Sequence, residues 1–175
     1  IPVVTPLINK NDESLFEHEN FLFSLFPRKG GHAPELDYKE NLEIMGRMLA
    51  RLHLIGEKQL FKHRPTLDII TFGQDSIDFV SKEFIPFEHK SNYDSVCAKL
   101  MQLIQPKLEN CQNIRVHGDL HIGNILIRDD IPFLVDFDDS RLAPAIQDIW
   151  MLLSGEPDEQ NIQLEKVKSA YQKFR

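Results

Sequence analysis

Hydrophobic residues recur at helical spacing most clearly in one stretch of the chain. Between Leu42 and Ile55 the apolar positions lie three and four residues apart, which places them on one face of an amphipathic helix. Asp37 is suited to cap the free amide groups at the start of this helix, and Glu40 three residues later completes a capping box. The predicted stripe comprises Leu42, Met45, Leu49, Leu52 and Ile55, and the grouping of Met45, Met48 and Leu49 is predicted to lie in the core.

Three further stretches have less regular patterns. The apolar run Phe21–Phe26, which Pro27 ends, predicts a buried strand. Residues 62–91 are punctuated by proline and glycine and are expected to be irregular. A second helix is predicted over Tyr93–Leu108, where Pro106 kinks or ends it. The side chains expected to face inward from this helix are Val96, Leu100, Leu103 and Ile104.

Short apolar runs replace the helical pattern after residue 114. Ile125–Ile127 and Phe133–Val135 predict two strands of a hairpin, joined by a polar turn over 128–130. The run from Ile146 to Leu153 predicts a buried helix around Trp150, and an amphipathic helix follows from about Asp158. The order of strand, helices, hairpin and helices predicts an α+β fold that is rich in helix.

Composition and charge exclude several classes of protein. With 42% hydrophobic and 27% charged residues, the 175-residue chain has the composition of an ordinary globular domain. Its net charge of −7 argues against nucleic acid as a partner, and no apolar run is long enough to cross a membrane. Cys97 and Cys111 lack metal-binding spacing, so we expect two reduced thiols in a cytoplasmic protein.

The residues suited to chemistry lie around the predicted hairpin. Asp136 interrupts an apolar run, where an ionised carboxylate needs a partner, and a bound cation is the simplest one. Asn124 offers a neutral amide oxygen, which suits Mg²⁺. Asp119 lies five residues earlier, so a loop can place its carboxylate beside the metal without ligating it. Such a set of groups is what phosphoryl transfer requires.

These residues also form a recognisable motif. The sequence His117-Gly118-Asp119-x-His121-x-x-Asn124, followed by Asp136-Phe137 at a strand end, resembles the aminoglycoside-phosphotransferase and choline-kinase branch of the protein-kinase-like fold. Eukaryotic protein kinases have His-Arg-Asp in place of the first three residues. Three further stretches look like a cytoplasmic bacterial serine/threonine protein kinase of this branch that acts in stress response, and they are Lys58–Thr66, Asp136–Arg141 and Pro144–Leu153.

The resemblance implies a role for each residue that matches the motif. Asp119 and Asp136 would be catalytic, Asp119 by orienting the acceptor hydroxyl and accepting its proton. Asn124 and Asp136 would be the Mg²⁺ ligands, with Asp136 bridging the phosphates of the co-substrate ATP. The acceptor would be a serine or threonine hydroxyl of a protein substrate, and the enzyme a monomer.

The resemblance implies supporting roles as well. His117 and His121 would hold the catalytic loop in shape, and Asp148 would brace that loop through its backbone amides. Backbone groups near Ser24 and Phe26 would receive the adenine of ATP.

The sequence departs from the family pattern in two places. The metal motif reads Asp136-Phe137-Asp138 instead of Asp-Phe-Gly, which makes a freely flipping activation switch doubtful. Neither a phosphate-covering loop nor an early lysine precedes Phe21. We therefore expect residues 1–26 to be the last strands of the N-terminal lobe and the hinge, and residues 27–175 to be a helical C-terminal lobe that is truncated at its end. Such a fragment would bind ATP poorly and transfer little phosphate alone.

Three alternatives remain open at this stage. The acceptor could be a small alcohol or an aminoglycoside in place of a protein, since an acidic surface suits a cationic acceptor. The chain could be a non-catalytic kinase relative that acts as a binding module, although Asp119, Asn124 and Asp136 are all retained. A metallohydrolase could instead use His117 and His121 to hold Zn²⁺ or Mn²⁺.

Overall fold

The computed structural model describes residues 2–36 and 39–175. In this part of the chain, six short strands form three antiparallel pairs, β1 with β2, β3 with β6, and β4 with β5. The strands are β1 (Phe16–His18), β2 (Phe21–Phe23), β3 (Asn113–Val116), β4 (Ile125–Arg128), β5 (Ile131–Leu134) and β6 (Arg141–Pro144).

Five α-helices accompany the strands in the described residues. They are α1 (Lys39–Gly56), α2 (Asp75–Glu83), α3 (Phe87–Glu109), α4 (Ile146–Trp150) and α5 (Pro157–Tyr171). A π-helical turn over Ile69–Gln74 precedes α2, and a 3₁₀ turn over Ile122–Asn124 precedes β4. The expected mixture of helix and sheet is confirmed, whereas the predicted cap Asp37 lies outside the described residues.

The predicted hairpin is present as β4 and β5, although its second strand is Ile131–Leu134 instead of Phe133–Val135. Ile125 lies opposite Leu134, and the connecting Asp129 and Asp130 have positive φ angles of 52° and 60°, as a two-residue hairpin turn of the primed type requires. Backbone hydrogen bonds extend the hairpin on both sides. Val4 and Pro2 pair with Leu134 along β5, and the His32 backbone exchanges two hydrogen bonds of 3.1 and 2.7 Å with Ile127 on β4.

The predicted apolar stripe of α1 faces the main core. Leu42, Met45 and Leu49 are at most 1% exposed, but Ile55 is 49% exposed, so the buried stripe ends a turn earlier than the spacing indicates. The core joins α1 to the hairpin, the loop around Leu120 and α5. Its buried members are Leu42, Met45, Met48, Leu49, Leu120, Ile125, Ile127, Leu134, Leu152 and Val167.

Helix α3 is longer than predicted and turns its other face inward. It begins at Phe87 and continues past Pro106 to Glu109. Val96, Leu100 and Leu103 are 65, 50 and 66% exposed, so their predicted inward orientation is wrong. The more buried positions have an equally regular helical spacing, and they are Tyr93, Cys97, Met101, Ile104 and Leu108. Because both faces carry apolar residues, periodicity alone does not select the face that packs.

Two other predictions of burial are wrong. Of the run Phe21–Phe26, only Phe21–Phe23 forms a strand, and all three of its residues are exposed because β2 pairs solely with β1. Trp150 is 54% exposed, since α4 turns Asp148 inward instead. The exposure of Phe21–Phe23 has a simple cause: the isolated β1–β2 hairpin has no second layer to cover its apolar side chains.

The segment 62–91 is more helical than its sequence indicates. The Asp68 carboxylate caps the π-helical turn by accepting hydrogen bonds from the backbone N–H groups of Ile70 and Thr71, both at 2.8 Å. The hydrogen bonds from Thr71 lower the pKa of Asp68. The chain then continues into α2, whose first turn carries Asp75 and Asp78, in agreement with the helix dipole. No helix in the described residues has the length and apolar character needed to span a membrane.

Helices α1 and α5 pack closely where Gly46 faces α5. A Cβ atom at Gly46 would overlap the carbonyl oxygen of Val167 and lie 2.9 Å from Ala170 Cβ. This backbone contact lets α5 lie directly against α1, and it explains a glycine in the interior of α1, where alanine is intrinsically better by about 1 kcal/mol.

Gly46→Ala therefore tests the close packing of α1 against α5. We expect the substitution to lower the free energy of unfolding by about 2 kcal/mol, because the added methyl group forces the helices apart. The matched control is Gly30→Ala, since a Cβ there meets nothing within 4 Å. Urea unfolding of both variants measures the difference, and equal stabilities would contradict the close contact.

Candidate active site

The loop after β3 reverses at Gly118 and approaches the segment before β6. Gly118 has a φ angle of +91°, which other residues rarely adopt. A Cβ atom at this position would also overlap the carbonyl oxygen of Asp139. A glycine is therefore needed both for the backbone conformation and for the close approach of the two loops, which brings residues 117–124 beside residues 135–139.

The buried carboxylate of Asp148 fixes the backbone of this loop. Asp148 Oδ2 accepts a hydrogen bond of 2.9 Å from the His117 N–H, and Oδ1 accepts one of 2.9 Å from the Gly118 N–H. The side chain has no solvent exposure. The predicted bracing role of Asp148 is confirmed by these contacts.

His53 and Tyr171 complete this arrangement, and sequence reasoning placed neither of them in the site. The ring of His53 is fully buried, with Nε2 at 3.0 Å from Asp148 Oδ2 and Nδ1 at 2.8 Å from the Tyr171 hydroxyl. The prediction that His53 is a satisfied core histidine is confirmed. Its position on the buried face of α1 was the one available signal that this polar residue has a specific partner.

His117 connects the predicted catalytic loop, residues 117–124, to the predicted metal loop, residues 135–139. Its Nε2 donates a hydrogen bond of 2.8 Å to the carbonyl oxygen of Val135, and its ring lies 4.5 Å from the ring of Phe137. Its Nδ1 is buried and has no hydrogen-bond partner among the described residues. The ring is thus held between the two loops, as expected of a residue that maintains the shape of the site.

Asn124 joins Asp119 to the start of β4. Its Nδ2 donates to the Asp119 carbonyl oxygen at 2.8 Å and lies 3.3 Å from Asp119 Oδ2. The backbone oxygen of Asn124 accepts a hydrogen bond of 3.1 Å from the Val135 N–H, which brings the residue before Asp136 against Asn124. The amide N–H groups therefore face Asp119, and Oδ1 of Asn124 is the atom that remains for a cation.

Asp136 adopts an unusual backbone conformation at the end of this pairing. Its φ angle is 62°, in the left-handed region, where a residue other than glycine is disfavoured by about 1–2 kcal/mol. It lines a cavity of about 450 Å³ together with Phe137 and Asp138. A carboxylate and an amide oxygen are ligands that Mg²⁺ prefers, so the donor set of Asp136 and Asn124 fits a hard cation.

His121 lies beside the Asp119 carboxylate. Its Nδ1 accepts a hydrogen bond of 3.0 Å from the Gly123 N–H and caps the 3₁₀ turn. Because Nδ1 accepts, the neutral ring carries its hydrogen on Nε2, which faces Asp119 Oδ2 at 3.6 Å. The ring thus supports the loop and directs an N–H group toward Asp119.

The cavity beside Asp136 contains one of the two predicted adenine contacts. Phe26 lines it, whereas Ser24 does not, and the Ser24 hydroxyl instead donates to the Ser14 carbonyl oxygen at 2.8 Å. Two cationic side chains, Lys29 and Arg64, also line the cavity. Arg64 donates a hydrogen bond to the Asp138 carbonyl oxygen. The cavity therefore combines apolar walls, two positive charges and the carboxylates of the predicted metal loop.

The remaining acidic residue of this loop has a structural partner. Asp139 forms an ion pair with Arg141, whose Nη2 lies 2.8 Å from Asp139 Oδ1.

The geometry also bears on the metallohydrolase alternative, which needs several His, Cys, Asp or Glu side chains around one ion. Across residues 2–36 and 39–175, no group of three or more His, Cys, Asp and Glu side chains is placed to hold a metal ion.

The chain belongs to the phosphotransferase enzyme family, whose sequence model matches residues 1–175. It is 40% identical over 176 residues to stress response kinase A of Escherichia coli O157:H7, and 37% identical over 174 residues to serine/threonine protein kinase RdoA of Salmonella typhimurium. These alignments cover 99 and 98% of this chain but 53 and 52% of the relatives. The chain thus spans about half the length of the curated relatives it matches.

Solved structures confirm the protein-kinase-like fold. Amicoumacin kinase hAmiN, in complex with AMP-PNP, Ca²⁺ and Ami, has a TM-score of 0.73 at 20% identity, with 100% of this chain and 57% of that chain covered. Spectinomycin phosphotransferase APH(9)-Ia, in complex with ADP and spectinomycin, has a TM-score of 0.61 at 19% identity, with coverages of 97 and 58%. The family resemblance and the fold class indicated by the motif are both confirmed.

Asp148→Asn tests the brace under the catalytic loop. Three N–H groups point at the Asp148 carboxylate, and an asparagine side chain has a single oxygen to receive them. We expect the free energy of unfolding to fall by about 3 kcal/mol, because at least one buried donor loses its acceptor.

The matched control is Asp129→Asn in the exposed hairpin turn, where the Asp129 side chain is 87% exposed. We expect this change to alter stability by less than about 0.5 kcal/mol. Chemical unfolding of both variants measures the difference. A Asp148→Asn variant as stable as the control would contradict the bracing role.

Proposed function

We propose that this member of the phosphotransferase family carries the catalytic half of an ATP- and Mg²⁺-dependent serine/threonine protein kinase. The observation that carries the proposal is the convergence of Asp119, Asn124 and Asp136 on one side of the fold. Asn124 contacts Asp119 directly, and the Asn124–Val135 backbone hydrogen bond brings Asp136 to the same place. The adjoining cavity, with Phe26 on its wall, is the proposed nucleotide site.

Asp119 is the proposed catalytic residue that faces the acceptor. Its side chain is 37% exposed although the neighbouring His117 and Leu120 are fully buried, so an incoming hydroxyl group can reach the carboxylate. The carboxylate would accept a hydrogen bond from this hydroxyl, aim its oxygen at the γ-phosphate and take up the proton. Asn124 and His121 hold the carboxylate on one side and leave the other side for the acceptor.

Asn124 and Asp136 are the proposed holders of Mg²⁺. When bound, this ion would supply positive charge that neutralises the phosphates of ATP. The protein would contribute the fixed positions of the two ligands, because both are attached to the same pair of backbone hydrogen-bonded strands. Lys29 and Arg64 would add positive charge at the cavity wall.

Phe26 is proposed to contact adenine through its backbone groups, and Ser24, which does not line the cavity, would belong to the hinge segment that leads to it. Residues 1–26 would then be the last strands of an N-terminal lobe and the hinge, and residues 27–175 the C-terminal lobe. The proposed enzyme would act as a monomer in the cytoplasm, where ATP is its co-substrate. The two cysteines, Cys97 and Cys111, form no disulfide, which agrees with a reducing compartment.

The choice of acceptor rests on the sequence relatives. The proteins with 37–40% identity are named for stress response and serine/threonine protein kinases, which supports a protein hydroxyl as the acceptor. The structural neighbours at about 20% identity are named for phosphotransfer to amicoumacin and spectinomycin. A small-molecule phosphotransferase is therefore the second candidate function.

Substitutions at the two carboxylates test the proposed chemistry in the full-length protein. We expect Asp119→Asn to reduce kcat by roughly 10²–10⁴-fold, because the acceptor loses its proton acceptor and orienting group. Asp136→Asn should reduce transfer comparably and raise the Mg²⁺ concentration needed for half-maximal activity. Transfer of phosphate from labelled ATP measures both effects.

Asp130→Asn is the control, because it removes a carboxylate at an exposed position in the turn that connects β4 and β5. It should retain wild-type transfer. Unchanged activity of Asp119→Asn or Asp136→Asn would remove that residue from the proposed mechanism.

The acceptor class is tested by competition. We incubate the full-length protein with γ-labelled ATP and Mg²⁺, together with a mixture of serine- and threonine-containing proteins, choline and an aminoglycoside. We expect the label on protein as acid-stable, base-labile phosphoserine or phosphothreonine. Label on choline or the aminoglycoside alone would favour the second candidate, and label on none of them would argue for a non-catalytic module.

A further inference from the structure

A chain of hydrogen bonds runs from the end of α5 to the catalytic loop. Arg175 Nη1 lies 2.8 Å from the Tyr171 hydroxyl, which lies 2.8 Å from His53 Nδ1. His53 Nε2 lies 3.0 Å from Asp148 Oδ2, and Asp148 accepts the two backbone N–H groups of the catalytic loop. On its outer side Arg175 forms an ion pair of 2.8 Å with Glu57. This series of hydrogen bonds connects Arg175, near the surface, with the buried Asp148.

The chemistry of the donors fixes the direction of each hydrogen bond. The Asp148 carboxylate can only accept, so His53 Nε2 carries a hydrogen and donates it to Asp148. In the neutral ring Nδ1 is then the acceptor, and the Tyr171 hydroxyl donates to it. The guanidinium group of Arg175 can only donate, so the Tyr171 oxygen accepts from it.

Because His53 and Asp148 are buried, the loss of one hydrogen bond in this network is costly. His53 and Asp148 have no solvent exposure, so water cannot replace a missing donor or acceptor. Burial also raises the pKa of Tyr171, against the opposing effect of the hydrogen bond from Arg175, and the hydroxyl therefore keeps its hydrogen at neutral pH. Asp148 Oδ2 is shared between His53 and the His117 N–H, so the orientation of the carboxylate depends on the His53 donor.

We propose that Tyr171 is a positioning residue for phosphoryl transfer: its hydroxyl donates to His53 Nδ1 and fixes the His53 ring, so that the Nε2–H group orients Asp148 against the backbone of the catalytic loop. Its catalytic consequence rests on the proposed function. The backbone that Asp148 holds ends at Gly118, immediately before Asp119, so a rotation of the carboxylate changes the direction of the catalytic side chain. Tyr171 touches neither the acceptor nor the nucleotide site.

The first experiment measures the tautomer directly and does not depend on enzyme activity. Long-range ¹H–¹⁵N NMR of the full-length protein with ¹⁵N-labelled histidine should show His53 Nδ1 as an unprotonated nitrogen and Nε2 as a protonated one at neutral pH. Tyr171→Phe should leave Nε2 protonated, because the Asp148 carboxylate can only accept, but it should shift the Nδ1 resonance, because this nitrogen loses its donor. An unchanged Nδ1 resonance in a folded Tyr171→Phe variant would overturn the proposal. A protonated Nδ1 in the wild-type protein would overturn the proposal, even if Tyr171→Phe failed to fold.

The second experiment measures catalysis by the same variant. We expect Tyr171→Phe to lower kcat by about tenfold, the factor associated with one hydrogen bond, while KM for ATP stays within twofold. Tyr93→Phe on α3 is the matched loss of a tyrosine hydroxyl and should keep the wild-type kcat. Wild-type kcat in Tyr171→Phe would overturn the positioning role. A wild-type protein without phosphoryl transfer would instead refute the proposed function, and the NMR result would still decide the tautomer.

Discussion

The buried carboxylate of Asp148 is the interaction on which the arrangement of the site depends. An ionised group without solvent exposure costs several kcal/mol unless donors surround it. Its three donors come from α1, in His53, and from the backbone of His117 and Gly118 after β3. Helix α4 can therefore bury Asp148 only when α1 and the predicted catalytic loop are both in place. Packing of the helices and orientation of the loop are consequently coupled.

The close packing of α1 against α5 serves the same interaction. Gly46 allows α5 to approach α1 closely, and Tyr171, at the end of α5, then comes within hydrogen-bond distance of His53. A larger residue at Gly46 would separate the helices by a distance comparable to the tolerance of a hydrogen bond. The core contact and the polar network are thus parts of one arrangement, in which an apolar constraint sets the geometry of a polar one.

The sequence predicted those features that local pattern determines. Asp119 and Asn124 lie five positions apart in one loop, so their contact was predictable from the sequence. The α1 stripe and the β4–β5 hairpin were predictable because each buries a single face. Helix α3 has apolar residues on two faces, so tertiary contacts alone select the buried one. The polar network escaped prediction for another reason. His53 lies 95 positions from Asp148 and 118 from Tyr171, and nothing in the local pattern pairs residues so far apart.

The backbone at Asp136 shows how the fold accommodates the proposed metal ligand. The other non-glycine residues with positive φ among the described residues lie in turns that require it, and they are Asp12, Glu19, Asn20, Asp129 and Asp130. Asp136 lies two residues after the end of β5 and belongs to no hairpin turn, so its conformation has no local cause. The Val135–Asn124 hydrogen bond before it and the Ser140–Phe137 hydrogen bond after it hold the chain on both sides. Strain of about 1–3 kcal/mol that persists under such constraints is typical of functional sites, and here it falls on the carboxylate that lines the cavity.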